Sequence, residues 1–332
     1  MLRLILLTLG LLTLCLIVWH IGPGNIYDAV TRLGPGALLV ILLPSILMYV
    51  LEACGWRMTL GRYARIVPFW RLLAIRTAGE VVNMTTPTAY VGGEPLKAYL
   101  LKQYGVPMVD GLASVVTAKT TMTIAQIGFI LVGMSMGFWL LGTGGSPGKT
   151  AMATMVSVGL LAFGVGGFVL IQRRGIFSSL LWALRKIGLA IKALDTHEER
   201  LLELDRTIAA FYVTNRSGFL TSILLFFFGW LVETIEVFVM LTVLGEPATV
   251  PTSIAIGALS VFIKGGAFFI PGSLGAQDAG NLLLVTTFGY GEVAGITFAL
   301  LRRFRELVWV FIGLICLGVM GKRGKGIQSS AN

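Results

Sequence analysis

The chain has 332 residues, of which 56% are hydrophobic and only 13% are charged. This composition excludes an ordinary soluble globular domain, in which about 25% of the residues are charged. The formal net charge is +10, but the basic residues lie in short connections between apolar segments, which argues against a nucleic-acid-binding surface. The composition therefore predicts an integral membrane protein.

Six apolar segments are long enough to cross about 30 Å of hydrocarbon. They cover residues 2–21, 36–54, 110–141, 150–171, 218–243 and 291–320. The first segment is followed by Gly22 and Pro23 without the small-residue cleavage pattern of a signal peptide, so we interpret it as a retained transmembrane helix. The predicted fold is an all-α polytopic membrane protein that forms a single transmembrane domain over residues 1–332.

Two further apolar stretches, 66–104 and 251–290, are each interrupted by Pro and Gly. The interruptions have the sequences Pro87-Thr88-Ala89-Tyr90-Val91-Gly92-Gly93-Glu94 and Pro271-Gly272-Ser273-Leu274-Gly275-Ala276-Gln277. Broken hydrophobic segments in corresponding positions of two halves point to a transport site. We define the first motif as residues 80–104 and the second motif as residues 263–290, and we predict that each forms a re-entrant or broken helix.

The distribution of basic residues predicts how the chain crosses the membrane. Basic residues concentrate in 57–76, in 172–217 and in the C-terminal tail, whereas 22–35, 142–149 and 244–250 contain only Arg32 and Lys149. Both termini are therefore predicted to be cytoplasmic. With six crossings, the two motifs enter the membrane from opposite sides, as in an inverted repeat.

Residues 172–217 form the one sizeable polar segment of the sequence. Apolar residues recur in it at helical spacing, including Leu204 and Ile208. This pattern predicts amphipathic helices that lie on the cytoplasmic surface of the bilayer.

Both motifs are predicted to begin short helices. In the first motif the glycines allow a tight turn and Pro95 suits the first helical position, while Ser273 is expected to cap a helix that begins near Leu274 or Gly275. Two such helix starts that meet inside the membrane present N–H groups to a phosphate or carboxylate, which fits an anionic lipid head group. The alternative is that these prolines and glycines are packing kinks.

Ionisable residues inside the apolar segments are the second signal, because a central charge costs about 2.5–3.5 kcal/mol on insertion scales. Arg302 is the strongest candidate for a phosphate ligand because a guanidinium group matches oxyanion geometry. The alternatives are interhelical ion pairs and, for Lys97 and Lys119, extension to the membrane surface. The candidate substrate-binding residues are Glu80, Asn83, Pro87, Gly92, Gly93, Glu94, Lys97, Glu233, Glu236, Lys264, Pro271, Ser273, Gly275, Gln277, Asp278 and Arg302.

Signatures of enzymes are not found in the sequence. It has two histidines, His20 and His197, which are too few for a zinc site, and it contains neither a GxSxG motif nor a nucleotide-binding P-loop. Glu233 and Glu236 form a pair of carboxylates, but no nucleophile or metal ligand accompanies them. We expect neither catalysis nor a cofactor nor a metal ion.

The stretch from Gly92 to Leu101, preceded by Asn83 and Pro87, resembles the first signature of the lysylphosphatidylglycerol synthase transmembrane family. The stretch from Pro271 to Gly275, and Leu300-Leu301-Arg302 with Gly313 further on, are similar to later signatures of that family. The resemblance covers about residues 35–320. It implies a stand-alone, flippase-like domain without the synthase domain, in the inner membrane of a bacterium and in a family associated with flipping aminoacylated phosphatidylglycerol. Gln277-Asp278 departs from the glutamate that family members often carry there, which leaves the substrate open.

These observations predict a translocase that moves an anionic or zwitterionic phospholipid-type lipid, with aminoacylated and hopanoid-related lipids as the candidates. Its expected partners are a membrane lipid with a phosphate-bearing head group and either a second copy of the chain or lipid-synthesis enzymes, but no nucleic acid. Two alternatives stay open, namely a membrane-embedded enzyme that modifies a lipid and an accessory scaffold of a lipid-synthesis complex.

Overall fold

A computed structural model describes residues 22–86, 92–141, 198–267 and 275–329, together with single residues 19, 159, 178 and 273. This part of the chain is helical, with one 3₁₀ turn at Gly61–Arg65. Its nine α-helices are α1 (Pro23–Thr59), α2 (Phe69–Thr85), α3 (Gly93–Lys102), α4 (Met108–Leu141), α5 (Glu198–Thr214), α6 (Arg216–Val243), α7 (Val250–Gly266), α8 (Ala276–Thr287) and α9 (Glu292–Ser329). The chain is an all-α polytopic membrane protein.

Three helices in the described residues are long and apolar enough to cross a membrane: Leu33–Thr59 of α1, α4 and α6. They coincide with the predicted crossings at 36–54, 110–141 and 218–243. The predicted crossing at 291–320 lies within α9, whose central charges set it apart from those three. The predicted crossings at 2–21 and 150–171 lie outside the described residues apart from Trp19 and Gly159.

Local sequence explains where several helices begin. The Asn215 side chain accepts a hydrogen bond from the Gly218 N–H and caps α6, and the Thr249 side chain does the same for α7 with the Thr252 N–H. Pro251 lies in the first turn of α7, where a missing N–H costs nothing. At Gly34, φ is 74°, so the backbone there is not helical and α1 consists of two helices joined at that residue.

Each motif forms a pair of short helices instead of one continuous span. The first pair is α2 with 17 residues and α3 with 10, and the second pair is α7 with 17 residues and α8 with 12. A helix of 17 residues is about 25 Å long, less than the roughly 30 Å of the hydrocarbon layer. Two short helices that pack against each other are what a re-entrant or broken segment requires.

Helices α1–α4 and α6–α9 form two halves that pack in equivalent ways. Each half runs from a long helix through two short helices to a second long helix, and its second short helix packs against the long helix that follows. Between the halves, α1 packs against α6, α2 against α9, and α7 against α4. Such reciprocal packing is expected of two structural repeats.

Glycines mark the two equivalent crossings between the halves. A Cβ atom on Gly133 of α4 would lie 2.0 Å from the Ala258 Cβ of α7. A Cβ atom on Gly313 of α9 would lie 2.0 Å from the Val81 Cγ2 of α2. In both places the absent side chain lets two backbones approach closely, as is common between membrane helices.

We expect Gly133→Ala to destabilise the protein by about 1–3 kcal/mol, because the added methyl group must push α4 away from α7. Thermal unfolding in detergent measures the effect. Gly128→Ala is the matched control in the same helix, since its Cβ atom would meet Phe227 at 3.7 Å, an ordinary contact. Equal unfolding temperatures for the two variants would contradict the close crossing.

Helix α5 covers one end of the bundle. Leu204 and Ile208 are buried against an apolar cluster that includes Ala113 of α4 and Phe219 of α6. The apolar face of α5 thus packs against α4 and α6. The rest of the predicted segment 172–217 lies outside the described residues, except Ser178 and the residues at the start of α6.

Candidate functional site

A cavity of about 280 Å³ lies inside the bundle where the two halves meet. Its wall includes residues of both motifs and of the long helices α1, α4, α6 and α9. Four carboxylates and five cationic side chains line it: Glu52, Glu80, Glu233 and Glu306, with Arg76, Lys119, Lys264, Arg302 and Arg305. So many charges in an apolar bundle are costly, which is the usual sign of a functional site in a membrane protein.

Buried ion pairs between helices account for three of these cations. Arg76 of α2 pairs with Glu52 of α1, and Arg302 of α9 pairs with Glu233 of α6. One turn further along α9, Arg305 pairs with Glu236, which is only 1% exposed. The three-residue spacing of both the arginines and the glutamates places the two pairs side by side between α9 and α6.

The first motif is held together by the side-chain amide of Asn83. Its oxygen accepts a hydrogen bond from the Gly93 N–H at 2.7 Å, and its nitrogen donates to Glu94 at 3.0 Å. Lys97 donates to both oxygens of Glu94, at 3.0 and 3.1 Å. This cluster joins the end of α2 to the start of α3.

The second motif is organised around Arg303. Its guanidinium group donates to Asp278 at 2.6 and 3.0 Å and to Glu306 at 2.7 Å. Glu306 also accepts from Lys264 of α7 at 3.0 Å and from the Gln277 side chain at 3.3 Å. These contacts connect α7, α8 and α9.

The predicted capping of the second short helix by Ser273 is wrong. Helix α8 begins at Ala276, Gly275 precedes it with φ 78°, and the Gly275 N–H donates to the Asp278 carboxylate at 2.9 Å. A positive φ at the position before the helix favours glycine. The helix therefore begins after Gly275 and not directly after Ser273. The backbone oxygen of Ser273 instead accepts a hydrogen bond from Arg303 at 3.2 Å.

We predict from the sequence that these helix starts present their N–H groups to a ligand. For two of these N–H groups the prediction is wrong. The Gly93 N–H is bonded to Asn83 and the Gly275 N–H to Asp278, because a buried N–H group must find a partner and a side chain lies within reach. Helix α3 begins at Gly93, so Pro95 is its third residue and not its first. These two N–H groups are therefore not available to a ligand.

Four residues that line the cavity have buried polar atoms without a hydrogen-bond partner among the residues that the structure describes. Three of these atoms are donors, namely Arg76 Nη1, Trp230 Nε1 and Arg302 Nε, and one is an acceptor, Gln277 Oε1. Buried donors in native proteins are nearly always satisfied. This surplus of donors predicts a ligand with acceptor oxygens.

A second, smaller cavity of about 30 Å³ adjoins the first. It is lined by Glu94 and Lys97 of the first motif and shares Arg76, Glu80 and Lys119 with the larger cavity. The residues of the first motif therefore lie beside the larger cavity. Among the residues that the structure describes, no cluster of histidine, cysteine and carboxylate groups is arranged to hold a metal ion.

A model of the lysylphosphatidylglycerol synthase transmembrane region matches residues 2–314. The chain belongs to this family. It is similar to two proteins of Methanothermobacter thermautotrophicus, each described as a UPF0104 membrane protein. One is 23% identical over 305 residues, which cover 87% of this chain and 86% of that protein. The other is 23% identical over 329 residues, which cover 93% and 90%.

The structure of this family member brings together a large part of the predicted site. Glu80, Glu233, Lys264, Gln277 and Arg302 line the larger cavity, and Glu94 and Lys97 line the smaller one. The other predicted residues that are described line neither cavity and lie in hydrogen bonds, in ion pairs or at helix starts: Asn83, Gly92, Gly93, Glu236, Ser273, Gly275 and Asp278. Pro87 and Pro271 lie outside the described residues.

Five charged residues of the cavity are absent from the predicted site: Glu52, Arg76, Lys119, Arg305 and Glu306. Glu52 lies in the apolar segment 36–54, so its position inside a span was a usable signal. Arg76 was counted among the basic residues of a cytoplasmic connection, which is wrong because it is 6% exposed and paired with Glu52. A basic residue near the end of an apolar segment does not reveal whether it faces water or the protein interior.

Proposed function

We propose that this protein is a lipid translocase of the bacterial cytoplasmic membrane, which binds a phosphate-bearing head group in the central cavity and moves it across the bilayer. It acts without a cofactor and without transferring a group to the lipid. The observation that carries the proposal is the surplus of buried hydrogen-bond donors on cavity-lining residues of an apolar membrane protein. Membership of the lysylphosphatidylglycerol synthase transmembrane family supports a role in lipid metabolism.

The size of the cavity suits a head group and not a whole lipid. Its volume of about 280 Å³ lies just below the roughly 300–1,000 Å³ range of small-molecule pockets. Large apolar side chains such as Leu43, Leu224 and Phe311 cover the outside of the bundle. The acyl chains therefore stay in the surrounding lipid while the head group enters the protein.

The charges of the cavity allow it to hold both parts of a zwitterionic head group. Arg302 and Arg76 provide unpartnered N–H groups for phosphate oxygens. Glu80 is the least tightly held carboxylate of the wall, since it lies 3.9 Å from Lys97 and accepts from Asn83 at 3.4 Å. It is therefore the residue that faces a cationic group. Rocking of the two halves about this site moves the head group between the leaflets.

Reconstitution into vesicles tests the proposal. We expect the wild-type protein to accelerate the transbilayer exchange of a tail-labelled phospholipid. Arg302→Gln is expected to lower the rate about tenfold or more, since a charge-assisted hydrogen bond contributes about 1.5–3 kcal/mol. Arg206→Gln is the matched control, because Arg206 is exposed on α5 away from the cavity.

A second variant separates loss of transport from loss of folding. Arg302→Gln leaves Glu233 buried without its counter-charge, whereas Arg302→Gln combined with Glu233→Gln restores neutrality. The double variant is expected to unfold near the wild-type temperature and still fail to move lipid. A wild-type protein that does not accelerate exchange, or a double variant with full activity, contradicts the proposal. A chemically altered lipid after the assay favours the enzyme alternative.

A further inference from the structure

The two halves of the chain contain equivalent ion pairs between a short helix and the long helix that follows. In the first half, Glu94 of α3 lies 3.9 Å from Lys119 of α4. In the second half, Asp278 of α8 lies 2.6 Å from Arg303 of α9. The members of each pair are 25 residues apart, and a shift of 184 residues carries Glu94 onto Asp278 and Lys119 onto Arg303.

These equivalent cations are held very differently. Arg303 is 2% exposed and donates two hydrogen bonds to Asp278 and one to Glu306, so its guanidinium group is held by protein carboxylates. The Lys119 side chain is 37% exposed, and its only ion pair among the described residues is the long one to Glu94. At equivalent positions of the two halves, Arg303 is thus held by carboxylates of the protein, whereas Lys119 is accessible to a ligand.

Glu94 does not depend on Lys119. The Glu94 carboxylate already accepts hydrogen bonds from Asn83 at 3.0 Å and from Lys97 at 3.0 and 3.1 Å. If Lys119 binds another anion instead, Glu94 keeps its contacts with Asn83 and Lys97, and no buried charge is left without a partner. Lys119 also lines both cavities, so it lies at the passage between the first motif and the central cavity.

We propose that Lys119 is a substrate-binding residue. Its ammonium group separates from Glu94 and binds the phosphate of the lipid head group. The inference rests on the proposed function and adds a residue to its site. It also narrows the substrate class, because an ammonium group favours a head group whose phosphate carries net negative charge. Phosphatidylglycerol is then preferred over phosphatidylcholine, in which the choline group offsets the phosphate charge.

Transport in phosphatidylcholine vesicles with a varied fraction of tail-labelled phosphatidylglycerol tests this inference. Lys119→Gln is expected to raise the half-saturating fraction of phosphatidylglycerol about tenfold and to leave the maximal rate within about twofold. Lys119→Arg keeps the charge and is expected to behave like the wild type. Lys102→Gln is the matched control, since Lys102 is exposed at the end of α3 and lines neither cavity.

Soluble glycerol phosphate distinguishes a free phosphate from a lipid-linked one. If it slows the wild type but not Lys119→Gln, the residue recognises phosphate from either source. If it slows neither while the Lys119→Gln defect persists, the residue recognises only the lipid-linked group. An unchanged half-saturating fraction in Lys119→Gln overturns the inference, as does a defect that Lys119→Arg does not repair.

A binding measurement keeps the two proposals separable. Short-chain phosphatidylglycerol is expected to raise the unfolding temperature of the detergent-solubilised wild-type protein and to have little effect on Lys119→Gln. If the wild type binds this lipid through Lys119 but moves none, the translocase proposal fails and the binding inference stands. If it moves lipid and binds equally well with Lys119→Gln, the inference alone fails.

Discussion

Glu236→Gln is expected to lower the free energy of unfolding by about 3 kcal/mol, because it leaves the Arg305 guanidinium group buried without its counter-charge. Glu236 is 1% exposed and Arg305 is 6% exposed, so solvent screens the unpaired guanidinium group only weakly. Thermal unfolding in detergent measures the loss. Glu203→Gln on the exposed side of α5 removes the same charge from the surface and is expected to change little.

The same pair allows a more demanding test. Glu236→Leu combined with Arg305→Met removes both charges and fills similar volumes, so it is expected to regain most of the stability that Glu236→Gln loses. Transport is nevertheless expected to fall in the double variant, since Arg305 lines the cavity. If Glu236→Gln unfolds at the wild-type temperature, the buried pair between α6 and α9 is not as the structure has it.

Gly93→Ala is expected to abolish the folded first motif. A Cβ atom on Gly93 would lie 1.9 Å from the backbone oxygen of Gly79 and 2.9 Å from the side-chain oxygen of Asn83. Backbone cannot move aside as a flexible side chain does, so α3 must separate from α2 and break the Asn83 hydrogen bonds. We expect poor yield of folded protein and no lipid transport, measured by size-exclusion chromatography and vesicle assay.

Gly111→Ala is the matched control for this variant. Gly111 lies in the first turn of α4 against the other side of α3, and its Cβ atom would meet Ala98 at 3.5 Å, an ordinary contact. It is expected to fold and to transport lipid. A Gly93→Ala protein that folds and transports like Gly111→Ala would show that the two short helices do not need to approach so closely.

Composition and periodicity predicted the elements of the fold because a bilayer constrains them strongly. A helix must satisfy its own backbone groups in lipid, so apolar segments such as 36–54, 110–141 and 218–243 indicate spanning helices without further information. The interrupted segments are as informative, since Gly93 and Gly275 lie at the helix starts that their residue type favours. The family resemblance rested on the same segments, and the family match confirmed it.

The partners of the charged residues could not be predicted in this way. The sequence indicated that Glu233, Glu236 and Arg302 are costly inside a membrane, but it did not pair Arg302 with Glu233 or Arg305 with Glu236. Partners in each pair are 69 residues apart, and such contacts depend on how helices rotate and cross. Arg76 shows the same limit, because its residue type gives no sign of whether it faces water or Glu52.

The two interrupted segments were determined by the sequence: their Pro and Gly residues, their apolar flanks and their repetition in the two halves need no tertiary information. Only the tertiary structure decided what the interruptions do. In the structure the Gly93 and Gly275 N–H groups donate hydrogen bonds to side chains, and Arg302 and Lys119 line the same cavity. The physical reason is that backbone geometry follows from local residue types. Whether a charged side chain is paired depends instead on which distant side chains the packing of the helices places beside it.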